Sequence, residues 1–291
     1  MKRYIAGLAC AATAVLGAPA LASTAHAQAA DPITALKSQF SSGRGVNFVD
    51  TTKVQGPQGN IVLAKRTGAL QFGPSGISAS DQTAQLRFKE SDFEGLTEGA
   101  EGGEGETASK VFTGMTKPER VVRIKNTTYV SGGILGEFMP ADKTWVRFPG
   151  DMLGFTGELS QIVNVAEPAT LKALLAHATK HGGTYSGKIT FGELNKVSPW
   201  FRASKLSGVT GRAAKSVVSW KLFLGSDRLA KRLVTTYSMA GSAESKLTVD
   251  TRYTGWGSKV TVKAPPADQV ADMKDLDEGA ETATSIPLLG N

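Results

Sequence analysis

Few residues in this chain have the types and spacing that catalysis or metal binding needs. His177 and His181 stand four positions apart, a spacing that places two imidazoles on one face of a helix. No glutamate lies between them in the pattern that zinc peptidases use. A cationic side chain near a helix C-terminus is favoured whether or not it binds a metal. We therefore expect no metal site.

Nucleophilic catalysis has equally little support. Either histidine could activate a serine, but no G-x-S-x-G elbow is present, and Gly73-Pro74-Ser75-Gly76 is typical of a hairpin turn. The glycine patterns that bind phosphates after a strand are also missing. A pair of carboxylates for glycoside hydrolysis cannot be chosen without geometry. We predict a protein that is not an enzyme, with no catalytic residue and no cofactor.

The first residues have the organisation of a secretory signal peptide. Lys2 and Arg3 precede an apolar, alanine-rich run, and Ala25-His26-Ala27 is an A-x-A cleavage motif. We predict a signal peptide over residues 1–27, cleaved after Ala27, and an exported protein that is secreted or associated with the cell envelope. An uncleaved membrane anchor is the alternative, but the apolar run is short for a membrane span.

Cys10 is the single cysteine of the chain. Gly7-Leu8-Ala9-Cys10 resembles a lipoprotein signal, but the usual leucine three residues before the cysteine is missing. We therefore do not expect lipid anchoring at Cys10. Cleavage after Ala27 would leave a mature chain without a disulfide, a thiol nucleophile or a cysteine-based metal site.

The charge balance excludes one class of partner. The chain has 33 Lys and Arg against 26 Asp and Glu, and removal of Lys2 and Arg3 leaves 31 against 26, a net charge of +5. The basic residues are spread along polar strand faces, so nucleic-acid binding is not expected. Weak attraction to an anionic membrane surface is compatible with this charge.

Alternation of apolar and polar residues predicts antiparallel strands. The clearest case runs from Lys246 to Pro266, where Leu247, Val249 and Tyr253 share one parity. We predict a hairpin here, with Gly255-Trp256-Gly257 as its turn and a second strand through Val260. Further strands are predicted over residues 46–50, 61–72, 76–90, 120–125, 128–132, 143–148, 185–194, 216–224 and 228–239.

Helices are fewer. Asp31-Pro32 predicts a helix start, with Gly43 as its end, and Glu167-Pro168 predicts a second helix that ends at Gly182. A short third helix is predicted over 267–276. The acidic, glycine-rich stretch 94–106 is predicted to be a solvated loop, since calcium binding would need carboxylates at fixed offsets. Residues 277–291 are predicted to form a flexible tail.

These elements define a fold class. We predict an α+β protein in which a curved antiparallel half-barrel of about ten strands carries two or three helices on its concave side. So few helices cannot cover both faces of a large sheet, so the other face must meet water. Residues 28–276 are expected to form a single domain.

Several short motifs resemble one known group of proteins. They are Leu135-Gly136-Glu137-Phe138-Met139-Pro140, the strand Lys143-Thr144-Trp145-Val146, the proline-initiated helix with Leu174-Leu175, Asp250-Thr251-Arg252-Tyr253-Thr254-Gly255-Trp256-Gly257, and Ala264-Pro265-Pro266. With its exported start, the chain resembles the actinobacterial LppX/LprG-type lipoproteins, which are distant relatives of the LolA lipoprotein carriers. It departs from the LppX/LprG-type pattern in lacking a lipobox.

The resemblance implies a lipid or an acylated molecule as partner, held in an apolar cavity under the helices. A membrane surface or another envelope protein is a further partner left open. Sheet-side cavity walls are predicted at Phe72, Leu86, Phe88, Val122, Ile124, Val218, Trp220 and Leu222, and helix-side walls at Leu171, Leu174 and Leu175.

Two alternatives remain at this stage. The same fold with a filled core would serve as a structural or sensory envelope protein that binds a protein partner. A cavity under about 300 Å³, the low end for ligand pockets, would favour that alternative. A hydrolase is the third hypothesis, and it would require His177 or His181 beside a serine and a carboxylate.

Overall fold

The protein is described by a computed structural model over most of its length. The described residues are 31–56, 59–88, 103–205, 208–239, 242–277 and 280. The predicted signal peptide, Cys10, residues 94–102 of the acidic stretch and almost all of the predicted C-terminal tail lie outside them.

A sheet of twelve strands dominates the fold. The strands are β1 (Arg44–Gly56), β2 (Gly59–Gly73), β3 (Gly76–Leu86), β4 (Glu119–Ile124), β5 (Thr127–Gly132), β6 (Trp145–Pro149), β7 (Thr179–His181), β8 (Thr184–Thr190), β9 (Val217–Leu224), β10 (Ala230–Met239), β11 (Ser242–Lys259) and β12 (Val270–Asp272).

The strand order is β12-β6-β5-β4-β3-β2-β1-β11-β10-β9-β8-β7, so the sheet is open. Every pair of neighbours is antiparallel except β12 and β6, which are parallel. The predicted fold class, a curved and largely antiparallel half-barrel with a few helices, is confirmed.

Among the described residues, five α-helices accompany the sheet: α1 (Pro32–Lys37), α2 (Gly103–Thr116), α3 (Pro168–Ala176), α4 (Phe191–Val197) and α5 (Pro199–Ala203). Both predicted helix starts are confirmed. The Asp31 side chain accepts hydrogen bonds from the N–H groups of Ile33 and Thr34, and Pro168 occupies the first turn of α3. Helices α2, α4 and α5 were not predicted, and α2 includes residues 103–106 of the stretch expected to be a loop.

The predicted helix ends are wrong. Helix α1 ends at Lys37 and α3 at Ala176, well before Gly43 and Gly182. After α3 the chain pairs with β8 to form the short strand β7, and Gly182 lies in the turn between these two strands. The predicted helix over 267–276 is also wrong, because residues 270–272 pair with β6 as β12, between two 3₁₀ turns.

The predicted hairpin between 246 and 266 is wrong in its second half. Strand β11 continues through the Gly-Trp-Gly sequence, and its register against β1 shifts between the pairs Gly45–Ser258 and Asn47–Thr254. Gly255 and Gly257 have φ angles of 66° and 72°, so they form an irregularity in a continuous strand rather than a reversal. Residues 260–266 leave the sheet.

One face of the sheet carries the main apolar core. In β9, Val218, Trp220 and Leu222 are buried and alternate with exposed residues, as a half-buried strand requires. Helices α3, α4 and α5 pack over this concave face, together with residues 152–166, which we call the inner segment. The inner segment contains a 3₁₀ turn at Phe155–Leu159 and is otherwise irregular.

The core predicts a strong asymmetry between the two faces of β9. Leu222 is 0 % exposed and Val217 is 46 % exposed. Leu222→Ala should lower the free energy of unfolding by about 2–5 kcal/mol, because it removes buried methyl groups and leaves a cavity. Val217→Ala should change it by less than about 0.5 kcal/mol. Urea denaturation of both variants checks this, and similar losses would contradict the assignment of the two faces.

Candidate functional site

The inner segment occupies the concave side of the sheet. Its apolar side chains join the main core, in contact with residues of the strands and of α3 to α5. Those fully buried include Leu153, Ile162 and Val163. Protein therefore fills most of the space in which the sequence predicted an apolar hollow.

Side chains of the sheet satisfy the backbone of the inner segment. Thr52 donates its hydroxyl to the carbonyl of Leu159 at 2.6 Å, and the Gln82 amide donates to the carbonyl of Leu153 at 3.4 Å. The Tyr237 hydroxyl donates to the carbonyl of Glu158 at 3.1 Å. Because an irregular buried backbone has no ladder of its own, these contacts hold the segment in place.

Glu119 of β4 makes the densest of these contacts. Its carboxylate accepts hydrogen bonds from the backbone N–H groups of Phe155 and Thr156, both at 3.0 Å, and from the Thr156 hydroxyl at 2.6 Å. Burial raises the pKa of Glu119, and the three donors oppose that rise. The first turn of the inner segment is thus fixed to β4 by one buried carboxyl group.

Gln161 connects the inner segment to the other half of the sheet. Its side-chain amide donates to the Thr251 hydroxyl at 2.8 Å and accepts from the Thr235 hydroxyl at 3.0 Å. The indole N–H of Trp200 donates to the Gln161 carbonyl at 2.8 Å. Strands β10 and β11 and helix α5 therefore all contact one residue of the inner segment.

A buried ion pair lies at the centre of the concave face. Arg66 and Asp50 are 3 % and 1 % exposed, and the Arg66 Nε donates to Asp50 Oδ2 at 2.8 Å. The guanidinium lies 5.2 Å from the ring centre of Phe48 and 5.6 Å from that of Trp200. The void beside the pair measures about 10 Å³, room for about one water molecule and too little for an acyl chain.

A larger cavity lies at one end of this layer. It measures about 340 Å³, is partly open to solvent, and is bordered by the hairpin end of β3, the end of β4, and the starts of α3 and α5. Its lining consists of Ser75, Gly76, Ile77, Ser78, Ala79, Ser80, Arg123, Lys125, Asp151, Ala166, Glu167, Pro168, Ala169, Val197, Pro199 and Trp200.

The wall that α3 and α5 contribute is held together by Glu167. This carboxylate accepts hydrogen bonds from the Trp200 N–H at 2.8 Å, from the Thr170 hydroxyl at 2.8 Å and from the Ser198 hydroxyl. Burial raises the pKa of Glu167, and the hydrogen bond from Ser198 is the largest influence that lowers it. The two helix starts are thereby joined on one side of the cavity.

The opposite wall carries two cations. Arg123 belongs to β4 and forms an ion pair with Asp151, with Nη2 2.9 Å from Oδ1. Its guanidinium lies 5.6 Å from the Trp200 ring centre. Lys125 follows β4 in a turn and is exposed. The cavity thus combines apolar surface from prolines, alanines, Ile77 and Trp200 with charge at one side.

The predicted wall residues lie elsewhere. The main core contains Phe72, Leu86, Leu171, Leu174, Val218, Trp220 and Leu222, and Phe88 and Leu175 pack against it. None of these nine lines the 340 Å³ cavity. These residues are apolar and lie in or against the core, but the sequence did not show that other protein side chains pack on them. Their role in ligand binding stays a prediction.

Val122 and Ile124, also predicted as walls, lie on the outer face of β4. Glu119 and Val121 contact the inner segment, and alternation then directs the two predicted residues away from it. Arg123, which sequence reasoning missed, shares the inner parity and reaches the cavity. Glu119, Arg120 and Arg123 are all charged in β4, so no sequence signal singled out Arg123.

The histidine spacing has no helical basis. His177 follows α3 as its cap, and His181 lies in β7. Neither belongs to the cavity lining. Within the part of the chain that the structure describes, no group of three or more His, Cys, Asp or Glu side chains is arranged to hold a metal ion. Over the same residues, no helix combines the length and apolar character needed to cross a bilayer.

Comparison with known proteins gives distant structural likeness only. No family model matches the chain, and no curated protein matches its sequence. A hypothetical protein from Chlamydia trachomatis is similar over 82 % of this chain and 98 % of its own, at 8 % identity and a TM-score of 0.29. A LolA superfamily protein from Nitrosomonas europaea is similar over 81 % of this chain and 93 % of its own, at 7 % identity and a TM-score of 0.26.

An outer membrane lipoprotein-sorting protein domain from Vibrio parahaemolyticus is similar over 77 % of this chain and 90 % of its own, at 6 % identity and a TM-score of 0.29. At these low scores the neighbours carry no argument about what this chain binds. The site is therefore interpreted from its own geometry.

The contacts of Glu119 lead to a first site prediction. Glu119→Gln should lower the free energy of unfolding by about 1–3 kcal/mol, because the amide NH₂ would oppose one of the N–H donors of the inner segment. Glu106→Gln, at an exposed position of α2, should change it by less than about 0.5 kcal/mol. Urea denaturation measures both, and equal effects would show that Glu119 does not hold the segment.

The raised pKa of Glu167 leads to a second prediction about the site. A carboxyl whose pKa rises on folding binds its proton more tightly in the folded state, so its contribution to stability falls as pH rises above its ordinary value of 4.5. The stability of the wild type relative to Glu167→Gln should decrease between pH 4.5 and 8. Denaturation across this range tests the sign, and a relative stability that increases with pH would mean that the pKa is lowered.

Proposed function

We propose that this chain is an exported, non-enzymatic binding protein of the cell envelope, and that it holds a lipid or an acylated molecule in the 340 Å³ cavity between β3, β4, α3 and α5. The cavity is the observation that carries the proposal. The sequence motifs that resemble LppX/LprG-type lipoproteins, and the signal-peptide pattern, support it independently.

The volume of the cavity limits the size of the ligand that it can hold. Ligand pockets span about 300–1,000 Å³, so this one lies near the lower limit. It suits one short acyl chain, or the end of a longer one whose remainder stays outside. Each methylene that leaves water contributes about 0.8 kcal/mol, so a segment of about eight methylenes could supply about 6 kcal/mol. Binding of this kind needs apolar walls and a few polar groups, both of which are present.

The lining suits binding better than reaction. Arg123 and Glu167 are already engaged with other protein groups, in an ion pair and in three hydrogen bonds. Three serines contribute to the lining, but no histidine stands beside them among the described lining residues. The hydrolase hypothesis therefore gains nothing from the geometry of the cavity.

A second candidate function is supported by the inner segment. Because this segment fills the middle of the concave face, the fold could act as a rigid envelope protein that presents its surface to a protein partner. The two candidates differ in whether the remaining cavity is occupied. A ligand-binding experiment therefore separates them.

The experiment uses two substitutions on the same helix. Ala169 of α3 lines the cavity and is exposed, so Ala169→Phe should place a ring in its mouth without disturbing the core. Ala176→Phe, at an exposed position two turns further along α3, is the matched control. Titration with a fluorescent fatty acid should show affinity reduced at least about tenfold by the first variant and unchanged by the control.

Native mass spectrometry of protein purified from its own host complements the titration. We expect an added mass that organic extraction removes. A bare polypeptide in every preparation, combined with no uptake of the fluorescent fatty acid, would reject lipid binding and favour the partner-binding candidate.

A further inference from the structure

We infer that the outer face of six adjacent strands is a docking surface for an anionic lipid bilayer. The strands are β2, β1, β11, β10, β9 and β8, in their order across the sheet, and we call their outer face the basic face. It lies on the side of the sheet opposite the main core and the helices. The inference goes beyond ligand binding, since the basic face shares no residue with the cavity lining.

The charge of the basic face is strongly unbalanced. In each strand, alternation places the buried residues on the core side and the residues between them on the outer side. Among the side chains that the structure describes in these six strands, seven cations and one carboxylate lie on the outer side. The carboxylate is Asp250, and the cations are Lys53, Lys65, Lys188, Lys221, Arg232, Lys246 and Arg252.

Six of the seven cations are free to contact a partner. Arg232 forms an ion pair with Asp250, with Nη2 2.6 Å from Oδ2. The other six cations are exposed, and none of them forms an ion pair with another described residue. The excess of positive charge therefore faces solvent, and it does not depend on the protonation of a neighbouring acid.

The other half of the outer face provides a contrast within the same sheet. There the outward charges lie in pairs, with Arg120 Nη2 2.7 Å from Asp81 Oδ2 and Arg147 Nη2 2.9 Å from Asp272 Oδ1. These charges of β3, β4, β6 and β12 offset each other. Because the unpaired cations are confined to the half from β2 to β8, the field has a direction, and it favours the approach of an anionic partner from that side.

The surroundings of the cations suit a broad and laterally mobile partner. Neighbouring strands lie about 4.8 Å apart, so the six strands span about 24 Å, wide enough to meet several headgroups. Five of the seven cations are lysines, which bind anions as point charges without the fixed geometry of a guanidinium fork. The outward side chains between them include the short hydroxyl residues Thr51, Thr67, Ser186, Ser219, Thr236 and Thr248.

Apolar side chains lie on the same face. Val49 and Val217 are 47 % and 46 % exposed. Exposed valines among cations match the boundary of a bilayer, where anionic headgroups lie above an apolar interior. The signal-peptide pattern places such a membrane surface within reach of the exported chain. A bilayer is therefore the occupant that these observations favour over an acidic protein.

Vesicle sedimentation tests the inference with the protein as its own host produces it. The vesicles contain phosphatidylcholine alone, or phosphatidylglycerol as about one third of the lipid. We expect binding to the anionic vesicles to be at least about tenfold tighter, and high salt to remove this difference because exposed charges are screened. The neutral vesicles measure any binding by apolar segments of the chain.

Matched double substitutions locate the surface. Each cation near an anionic membrane strengthens binding about fivefold, so Lys53→Gln combined with Lys221→Gln should weaken it about 25-fold. Lys172→Gln combined with Lys196→Gln removes the same charge from exposed positions of α3 and α4, on the opposite side of the sheet. This control should weaken binding less than about threefold. Neither pair should change the thermal midpoint or the fatty-acid titration.

The outcomes separate this inference from the proposed function. Equal binding to neutral and anionic vesicles overturns the docking surface, and so does an equal loss in the two double variants. Binding to polyglutamate without binding to the anionic vesicles would assign the basic face to an acidic protein and overturn the bilayer as its partner. A loss confined to the first double variant supports the docking surface whether or not the cavity takes up a fatty acid.

Discussion

The structure depends on one constraint: an irregular backbone enclosed by protein must find a hydrogen-bond partner for each buried N–H and C=O group. The inner segment has neither a helix nor a strand over most of its length, so side chains of the sheet supply those partners. Glu119, Gln82 and Thr52 do so from three strands. This requirement explains why polar residues occupy inward positions that a purely apolar core would fill with valine or leucine. The inner segment therefore needs the polar side chains of the sheet, and those side chains need the backbone of the inner segment as their partner.

The same constraint determines where a ligand can lie. A concave face that carries hydrogen-bonding side chains and the Asp50–Arg66 ion pair is not a continuous apolar trough, and its centre retains only about 10 Å³ of space. Displacing the inner segment would leave Glu119, Thr52 and Gln161 without the hydrogen bonds that join the segment to the sheet, at a cost of about 1–3 kcal/mol for each buried group. The cavity beside β3 and β4 avoids this cost. A ligand there contacts the starts of α3 and α5 while the segment stays in place, so the filled core and a binding role are compatible.

Sequence patterns were informative where one interaction controls one element. Period-2 alternation identified most strands, and Asp31-Pro32 and Glu167-Pro168 marked helix starts because capping is local. Sequence patterns failed where the structure of a segment depends on pairing with a distant part of the chain. Nothing local shows that the Gly-Trp-Gly sequence lies within a continuous strand, since the strand is continued by its pairing with β1. The inner segment has no helical or strand period, so the sequence did not predict that it is buried against the sheet. The cavity residues assemble from five separate regions of the chain, namely residues 75–80, 123–125, 151, 166–169 and 197–200, and no local pattern connects them.

The central claim is that a ligand occupies the cavity while the inner segment remains bound to the sheet. Amide hydrogen exchange of the delipidated and dodecanoate-loaded protein tests it most directly, because exchange reports local opening residue by residue. We expect slower exchange on loading at residues 76–80 and 123–125, and slow, unchanged exchange at residues 153–163. Faster exchange at 153–163 after loading would contradict the account, because it would show that the ligand enters by expelling the inner segment.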